Sequence, residues 1–399
     1  MPFPLVVADA QGATLTDVDG HSYADFCLGD TGAMFGHSPQ PVAAAIEKQA
    51  RGGFTHMLPS TQTAAVGQLL AETFQLPVWQ VTLTATDANR FALRAARAIT
   101  QRSKILVFNG CYHGIVDETF VRLSHGTPVQ RPGMVGEYRD LTTETVVIEF
   151  NDLAALEHAL ASNEIACVIA EPVMTNSSMV LPDPGFHTEL RRLTRLSGTL
   201  LLIDETHTIS TGFGGYTRVH GLEPDLFVVG KAVAGGVPAA VWGMSTDVAQ
   251  RLSSLLKSKE PGHSGMGTTL SANALSMAAM HANLAHVMTQ EHYIHMERLA
   301  AKLDAGLAAV IAQHALPWHV ARVGARVEFI FSAHPLKNGT EAEATHLHSL
   351  EAAIHLGLLN RGVLIAPFHN MMLVSPVTTD ADVLRLVAAF ADVTTLLIG

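Results

Sequence analysis

Two strand-like runs of apolar residues end in side chains that can do chemistry. The run "TLLLIDE" ends in Asp204 and Glu205, and the run "DLFVVGK" ends in Lys231. Because ligands of an open parallel sheet bind beyond the carboxyl ends of its strands, we expect Asp204 and Lys231 to face one crevice. An unprotonated lysine can form a Schiff base with an aldehyde, and a buried, ionised aspartate needs a cationic partner. The pair therefore predicts an electron-sink cofactor, and the protonated ring nitrogen of pyridoxal phosphate is one such partner for Asp204.

A phosphate site is predicted where "LTATDANRFALRAAR" passes from a strand into a helix. Backbone N–H groups and the dipole at a helix N-terminus favour an anion, and the Thr86 hydroxyl could donate a further hydrogen bond. The same pattern is open to a second interpretation, because Thr86 or Asp87 could simply cap the helix.

Three alternative interpretations of the sequence are a nucleotide site, a salt bridge without a cofactor, and a metal site. A Walker B strand would explain "LLLIDE", but it requires a G-x-x-x-x-G-K-[ST] loop, and the sequence has none. A buried salt bridge between Asp204 and Lys231 without any cofactor stays open on these two residues alone. The 21 histidines invite a metal site, but no ligand-spaced motif such as H-E-x-x-H occurs, so we expect no metal.

Apolar strand candidates alternate with amphipathic helix candidates through the middle of the chain, for example "QVTLTA" before "DANRFALRAARAITQ". This alternation predicts an α/β fold with a mostly parallel sheet covered by helices on both faces. For 399 residues we expect a large cofactor-binding domain, residues 46–285, and a smaller α+β domain built from residues 1–45 and 286–399. Residues 114–145 are interpreted as a long loop, which in an enzyme can be a lid.

The composition excludes several classes of partner. The formal net charge is -11 and no basic run occurs, which argues against a nucleic-acid partner. The apolar windows are broken by Gly and Pro well short of a membrane span, and the N-terminus lacks the pattern of a signal peptide. The three scattered cysteines fit a reduced compartment, so we expect a soluble, cytoplasmic protein. The hydrophobic content of 48% predicts that some apolar surface is buried between subunits.

Seven motifs in order resemble the class III pyridoxal-phosphate aminotransferases, particularly the glutamate-1-semialdehyde aminomutase-like branch. The resemblance extends from about residue 12 to the C-terminus, and it implies the fold type I architecture of pyridoxal-phosphate enzymes. The motifs are "DVDGHSYADF", "GHSPQPV", "GCYHG", "AEPV", "LLIDETHT", "EPDLFVVGKAVAGGVP" and "GTTLSANALSM".

The resemblance implies a role for individual residues at the reacting end of the cofactor. Lys231 matches the Schiff-base lysine and proton shuttle, and Asp204 matches the ligand of the pyridinium nitrogen. Tyr112 matches the aromatic residue that stacks on the cofactor ring, with His113 beside it. Glu171 in "AEPV" is expected to be a structural support.

Further positions of the resemblance surround the ring and the phosphate. Ala85 and Thr86 match the phosphate-binding turn. Thr206 lies where the family usually has Val under the ring, and His207 lies where it has Gln or Met near the ring hydroxyl. Thr269 matches a residue that reaches the phosphate of the neighbouring subunit, so the resemblance implies a homodimer with shared active sites.

The sequence departs from the family where substrates bind. Relatives that use 2-oxoglutarate commonly carry an Arg in the C-terminal piece that reads "NMMLVSPVTTD" here, and the aminomutase branch has a Trp at about Thr31. We expect Thr31, Met34 and Phe35 of "GDTGAMFGH" to contact the substrate.

These features predict an aminotransferase that moves an amino group between an amino acid or amine and a keto acid. A β-amino acid or a hydrophobic amine is favoured as donor because the C-terminal Arg is missing. An isomerase (aminomutase or epimerase), a decarboxylase on the same scaffold and a cofactor-binding protein without catalysis remain alternatives.

Overall fold

The computed structural model describes residues 5–136, 139–176 and 178–398. Its strands are β1 Val7–Gln11, β2 Thr14–Asp17, β3 Ser22–Asp25, β4 Val78–Thr82, β5 Lys104–Phe108, β6 Val121–Ser124, β7 Thr127–Gln130, β8 Thr145–Ile148, β9 Ile165–Ala170, β10 Leu200–Asp204, β11 Leu226–Val229, β12 Ala240–Met244, β13 His319–Val323, β14 Arg326–Ile330, β15 Val363–Leu364 and β16 Met371–Leu373. Its α-helices are α1 Gln40–Ala50, α2 Thr63–Phe74, α3 Ala85–Thr100, α4 Leu153–Ala161, α5 Phe186–Ser197, α6 Gly215–His220, α7 Thr246–Ser258, α8 Ala274–His286, α9 Gln290–Gln313, α10 Gly339–Glu343, α11 His348–Leu359 and α12 Asp380–Ile398.

The large sheet has the strand order β4-β12-β11-β10-β9-β5-β8. All neighbouring strands are parallel except at β12, which is antiparallel to both β11 and β4. Every residue of β9, β10 and β11 is buried, as expected for a sheet with both faces covered. The predicted α/β fold with a mostly parallel sheet is confirmed.

Helix α3 covers the sheet where the predicted site lies. Its buried face is built mainly of small residues, which let the helix approach the strands closely, and the largest side chain on that face is Phe91. The helix begins after Thr84, whose side chain accepts a hydrogen bond from the amide of Asp87. The carboxyl ends of β10 and β11 are neighbours, so Asp204 and the residues after Val229 lie at one edge of the sheet.

Of two smaller sheets, one joins residues from both ends of the chain. Strand β15 pairs in parallel with β3, so the N-terminal sheet β1-β2-β3 is completed by residues from beyond position 360. The second sheet has the order β13-β14-β16 and packs against α9. We retain the division into residues 1–45, 46–285 and 286–399 as a proposal.

The structure differs from the sequence interpretation in two connecting segments. The segment 114–145, interpreted as a loop, contains the hairpin β6-β7 and two short 3-10 turns, while Glu137 and Tyr138 lie outside the described residues. Residues 40–75 are rich in Ala, Gln and Glu, a composition that predicts helix, and the structure divides them into two helices separated by residues 51–62, where Gly52, Gly53 and Pro59 interrupt the pattern. No helix within the described part of the chain is long and apolar enough to span a membrane.

Candidate active site

A cavity of about 370 Å³ opens at the carboxyl ends of β10 and β11, beside the first turn of α3. The sequence-predicted residues Lys231, Asp204 and His207 lie together on its wall, as do residues of the α3 turn. The lining residues are Gly32, Leu83, Thr84, Ala85, Thr86, Tyr112, Gly114, Glu171, Asn176, Asp204, Thr206, His207, Lys231, Gly236, Val237, Pro238 and Ala239.

Asp204 is buried and held by three donors. Its Oδ2 atom accepts hydrogen bonds from Asn89 Nδ2 at 2.8 Å and from His113 Nδ1 at 3.0 Å, and its Oδ1 atom accepts one from the amide of Thr206 at 3.1 Å. Burial opposes ionisation of Asp204, but the hydrogen bond and charge of His113 outweigh it and lower the pKa of this carboxyl. The site therefore presents a fixed negative charge.

His113 lies behind Asp204 rather than on the open side of the cavity. Burial acts to lower the pKa of His113, but its contacts with Cys111 and Asp204 raise it above its usual range. His113 Nε2 is buried and has no hydrogen-bond partner among the described residues. The histidine thus acts on the cavity through Asp204.

The first turn of α3 presents backbone donors to the cavity. The amides of Ala85 and Thr86 belong to the first turn, which has no acceptors within the helix. Thr84 is the residue that caps the helix, so Thr86 and Asp87 do not have that role. The Thr86 hydroxyl accepts a hydrogen bond from the amide of Ile115 at 3.1 Å. This turn is a suitable site for an anion.

Lys231 follows β11 in a left-handed conformation, with φ of 46°. Its Nζ atom lies 2.7 Å from Asp30 Oδ2 and 2.5 Å from His207 Nε2. Burial and the charge of Lys231 together hold the pKa of His207 well below its ordinary value, so this imidazole is neutral. The amine is therefore fixed by one carboxylate and one neutral ring.

A chain of hydrogen bonds runs from Lys231 into the protein. A protonated amine has only donors, so His207 Nε2 accepts from Lys231 and His207 Nδ1 carries the proton. Nδ1 then donates to Thr175 Oγ1 at 2.7 Å, and the Thr175 hydroxyl donates to Glu171 Oε2 at 2.5 Å. Burial raises the pKa of Glu171, against the opposing effect of the His113 charge and these hydrogen bonds. Glu171, expected only as a structural support, ends this chain.

The remaining predicted residues are placed differently. Tyr112 lines the cavity and is 40% exposed, which leaves its ring available for stacking. Thr269 is exposed on a separate depression formed with residues 55–59, so a role at a neighbouring subunit's phosphate stays a prediction. Met34 and Phe35 pack in the core of the protein and do not line the cavity, so a contact between either side chain and the substrate stays a prediction. Thr31 is also fully buried, behind the cavity wall.

The sequence interpretation missed several residues of the site. Asn89 is a buried amide on the otherwise apolar face of α3, and that interruption of the apolar pattern was a usable signal. Asp30 is the one charged residue of "GDTGAMFGH" and could also have been singled out. Thr175 and Arg326 carry no local signal, because distant parts of the chain bring their partners to them.

The described side chains fit pyridoxal phosphate. Asp204 provides the fixed charge for a pyridinium nitrogen, the first turn of α3 provides donors for a phosphate, and Lys231 provides an amine between them. A Cβ atom at Gly114 would lie 2.2 Å from Thr86 Oγ1, so only glycine leaves this turn undisturbed. The buried, unpartnered Oγ1 of Thr206 also lies on this wall, as judged over the described residues.

Comparison with solved structures identifies the same architecture. A structure titled as a glutamate-1-semialdehyde-aminomutase from Pseudomonas aeruginosa PAO1 is 51% identical, with a TM-score of 0.97 over 99% of this chain and 88% of that one. A lysine-to-alanine variant of that enzyme, in complex with PMP, has a TM-score of 0.96 at 51% identity and covers 98% of this chain and 88% of that one. An omega-transaminase from Sphaerobacter thermophilus is 27% identical, with a TM-score of 0.90 over 100% of this chain and 92% of that one.

Sequence comparison agrees with the structural comparison. A glutamate-1-semialdehyde 2,1-aminomutase 2 from Bacillus anthracis is 32% identical over 97% of this chain and 90% of its own length. The family model "Aminotransferase class-III" matches residues 1–393. The chain therefore belongs to the class-III aminotransferase family, whose cofactor is pyridoxal 5'-phosphate.

Proposed function

We propose that the protein moves an amino group between two carbon atoms of one small amino-oxo compound, with Lys231 as its reactive amine. The observation that carries the proposal is the arrangement at the ends of β10 and β11, where Asp204 and Lys231 face one cavity beside the first turn of α3. The aminomutase names of the B. anthracis and P. aeruginosa relatives support exchange within one molecule over exchange between two.

The protein's own residues would hold the cofactor at three points. When bound, pyridoxal phosphate supplies an aldehyde and an electron sink for the carbon that carries the amino group. Asp204, kept ionised by Asn89 and His113, would hold the ring nitrogen in its protonated form. The first-turn amides of Ala85 and Thr86 would bind the phosphate.

Lys231 would carry the proton that has to leave one carbon and arrive at another. A proton on Nζ can pass to His207 Nε2, while the Nδ1 proton passes to Thr175 and the hydroxyl proton passes to Glu171. His207 and Thr175 each give one proton as they receive one, so the net transfer is from Lys231 to Glu171. The raised pKa of the buried Glu171 carboxyl favours its accepting that proton.

Transamination between two molecules is the second candidate function. The omega-transaminase from S. thermophilus supports it, since that protein matches this chain over its full length. The absence of the family's Trp in "GDTGAMFGH" also favours it, because Asp30 and Thr31 occupy this stretch. Both candidates use the same cofactor and the same lysine, and they differ in whether a keto acid must be added.

The two functions are separated by an absorbance spectrum of the cofactor-loaded protein before and after amino donors are added without a keto acid. An aminomutase converts its donor continuously and keeps the visible band of the lysine-bound cofactor. A transaminase forms oxo product only once per site and loses the band. Carbon dioxide release would indicate the decarboxylase alternative, and a protein that develops no visible band with added cofactor would refute both candidates.

A further inference from the structure

Three charged side chains beside the active site keep buried polar atoms that have no hydrogen-bond partner among the described residues. These atoms are Asp30 Oδ1, Arg326 Nε and Nη1, and Glu328 Oε2. Arg326 is fully buried on β14, and Glu328 lies two residues further along this strand, so both side chains project from the same face. Because buried polar atoms are normally paired, free donors and free acceptors in one cluster indicate contacts that form in another state of the protein.

Arg326 is attached to the segment that carries Asp30. Its Nη2 atom donates to Thr31 Oγ1 at 2.6 Å, and Thr31 directly follows Asp30 in the chain. Residues 28–31 all have positive φ, from 47° to 79°, a conformation that is strained for a β-branched residue and persists where the surrounding structure imposes it. The backbone is thus held in place, whereas the Asp30 side chain is 25% exposed and has room to change its rotamer.

Asp30 lies between two cations and contacts one of them. Its Oδ2 atom is 2.7 Å from Lys231 Nζ. Burial opposes ionisation of Asp30, but the charges of Lys231 and of Arg326 lower the pKa of this carboxyl, so Arg326 is near enough to act on Asp30 without touching it. Burial also lowers the pKa of Arg326, and Asp30 opposes this effect more than Glu328 does. Asp30 is therefore the carboxylate that best matches Arg326.

Lys231 is available to Asp30 only while its amine is free. Condensation of the amine with an aldehyde forms a C=N bond and releases water, which leaves at most one proton on Nζ in place of three. Asp30 then loses most of this interaction, and a buried charge that loses its partner is strongly destabilising. The unpaired Nε and Nη1 donors of Arg326 can compensate for that loss.

We propose that the Asp30 carboxylate alternates between two cations: it holds Lys231 while the amine is free and turns to Arg326 when the amine joins the cofactor. Arg326 is then a positioning residue, because it acts on Lys231 through Asp30. Release of Lys231 from Asp30 costs less when Arg326 can pair with the carboxylate, so the arginine favours loading of the cofactor. The inference rests on the role proposed for Lys231, and it adds a residue that controls the release of this lysine.

A double-mutant cycle on cofactor affinity tests this role, with the visible absorbance followed as pyridoxal phosphate is added to the cofactor-free protein. We expect Arg326→Gln to weaken the affinity about 30-fold when Asp30 is present and at most about threefold in the Asp30→Asn background, as for two residues that interact directly. In the Glu328→Gln background the full effect of Arg326→Gln should remain. An equal loss in the Asp30 and Asp30→Asn backgrounds would overturn the proposal, and so would a loss that disappears in the Glu328→Gln background.

The matched control is Arg322→Gln, since Arg322 lies on the adjacent strand β13 and contacts Asp304. This ion pair is remote from Lys231 in the hydrogen-bond pattern, so the control should leave the affinity for pyridoxal phosphate unchanged in either Asp30 background.

A second measurement needs neither the cofactor nor a substituted arginine. Lys231→Ala removes the ammonium group, so crystal structures of the cofactor-free wild type and of Lys231→Ala compare the two states directly. We expect the Asp30 carboxylate to contact Lys231 in the wild type and to lie about 3 Å from Arg326 Nε or Nη1 in the variant. If it does so while the wild type develops no visible band with pyridoxal phosphate, the role proposed for Lys231 fails and the alternation stands. A carboxylate that stays away from Arg326 in Lys231→Ala would overturn the alternation.

Discussion

Replacing Thr175 by valine tests the hydrogen-bond chain that connects Lys231 with Glu171. Valine has nearly the same shape as threonine, so the substitution removes a hydroxyl without creating a cavity. Thr175 is fully buried, donates to Glu171 and accepts from His207, and both partners are themselves buried. Loss of one hydrogen bond to a charged group and one to a neutral group predicts a decrease of about 2 to 4 kcal/mol in the free energy of unfolding. Asn176 Nδ2, which lies 3.3 Å from Glu171 Oε1, still donates to this carboxylate in the variant, so we expect a decrease near the lower end of this range.

The same substitution should slow proton transfer. Without an acceptor at Thr175, His207 loses the interaction that keeps its proton on Nδ1, and its other tautomer would place an N–H group against Lys231 Nζ. We expect the rate at which an amino donor exchanges its Cα proton in D₂O, followed by NMR, to fall about 10- to 100-fold, in line with the contribution of a positioned acid or base. Thr175→Ser, which keeps the hydroxyl, should restore most of this rate.

The control is Thr394→Val, in which the lost hydroxyl donates only to carbonyl groups of its own helix α12. The free energy of unfolding of this variant should be about 1 kcal/mol lower than that of the wild type, and its rate of Cα proton exchange should be unchanged. The hydrogen-bond chain would be refuted if Thr175→Val lost no more stability than Thr394→Val and exchanged protons as fast as the wild type.

Three further predictions concern the reactive lysine, a buried histidine and the phosphate turn. Lys231→Ala should abolish turnover and the visible absorbance of the lysine-bound cofactor while leaving the melting temperature largely unchanged; retained turnover would contradict its assignment. Burial lowers the pKa of His187 from 6.5 to about 4, so the unfolded state binds a proton first as the pH falls, and stability should decrease from pH 6.5 to 4 by up to about 3 kcal/mol. In denaturation experiments, His187→Phe should lose less stability than the wild type between pH 6.5 and 4. An equal loss in the two proteins would refute the attribution of this pH dependence to His187. Gly114→Ala should weaken cofactor binding because its Cβ would displace Thr86, whereas Gly126→Ala, with a nearly identical φ of 77° but open space around it, should change only stability. Equal cofactor affinity of the two glycine variants, measured by titration, would contradict this reading of the turn.

The sequence by itself determined the large sheet and its cofactor end. Fully buried parallel strands must be continuous apolar runs, so β9, β10 and β11 are visible in the sequence as such runs. Residues directly after such strands lie at the ligand-binding edge, which is why Asp204 and Lys231 could be selected together. The first turn of α3 was found for the same reason, because a strand followed by a polar residue and a helix is a local pattern.

Only the tertiary structure decided which polar residues surround this local framework. Arg326 reaches Thr31 across 295 positions of sequence, and Lys231 reaches Asp30 across 201, distances over which no periodicity carries information. Met34 and Phe35 were expected at the substrate but are core residues. They lie in a glycine-rich segment without periodicity, so the sequence does not indicate which of its side chains are buried in the core. Strand and helix patterns follow from short-range geometry, whereas the partners of a buried charge depend on how distant segments pack. This is the physical reason that Asp204 and Lys231 could be selected from the sequence, whereas the contacts of Asp30 and Arg326 could not.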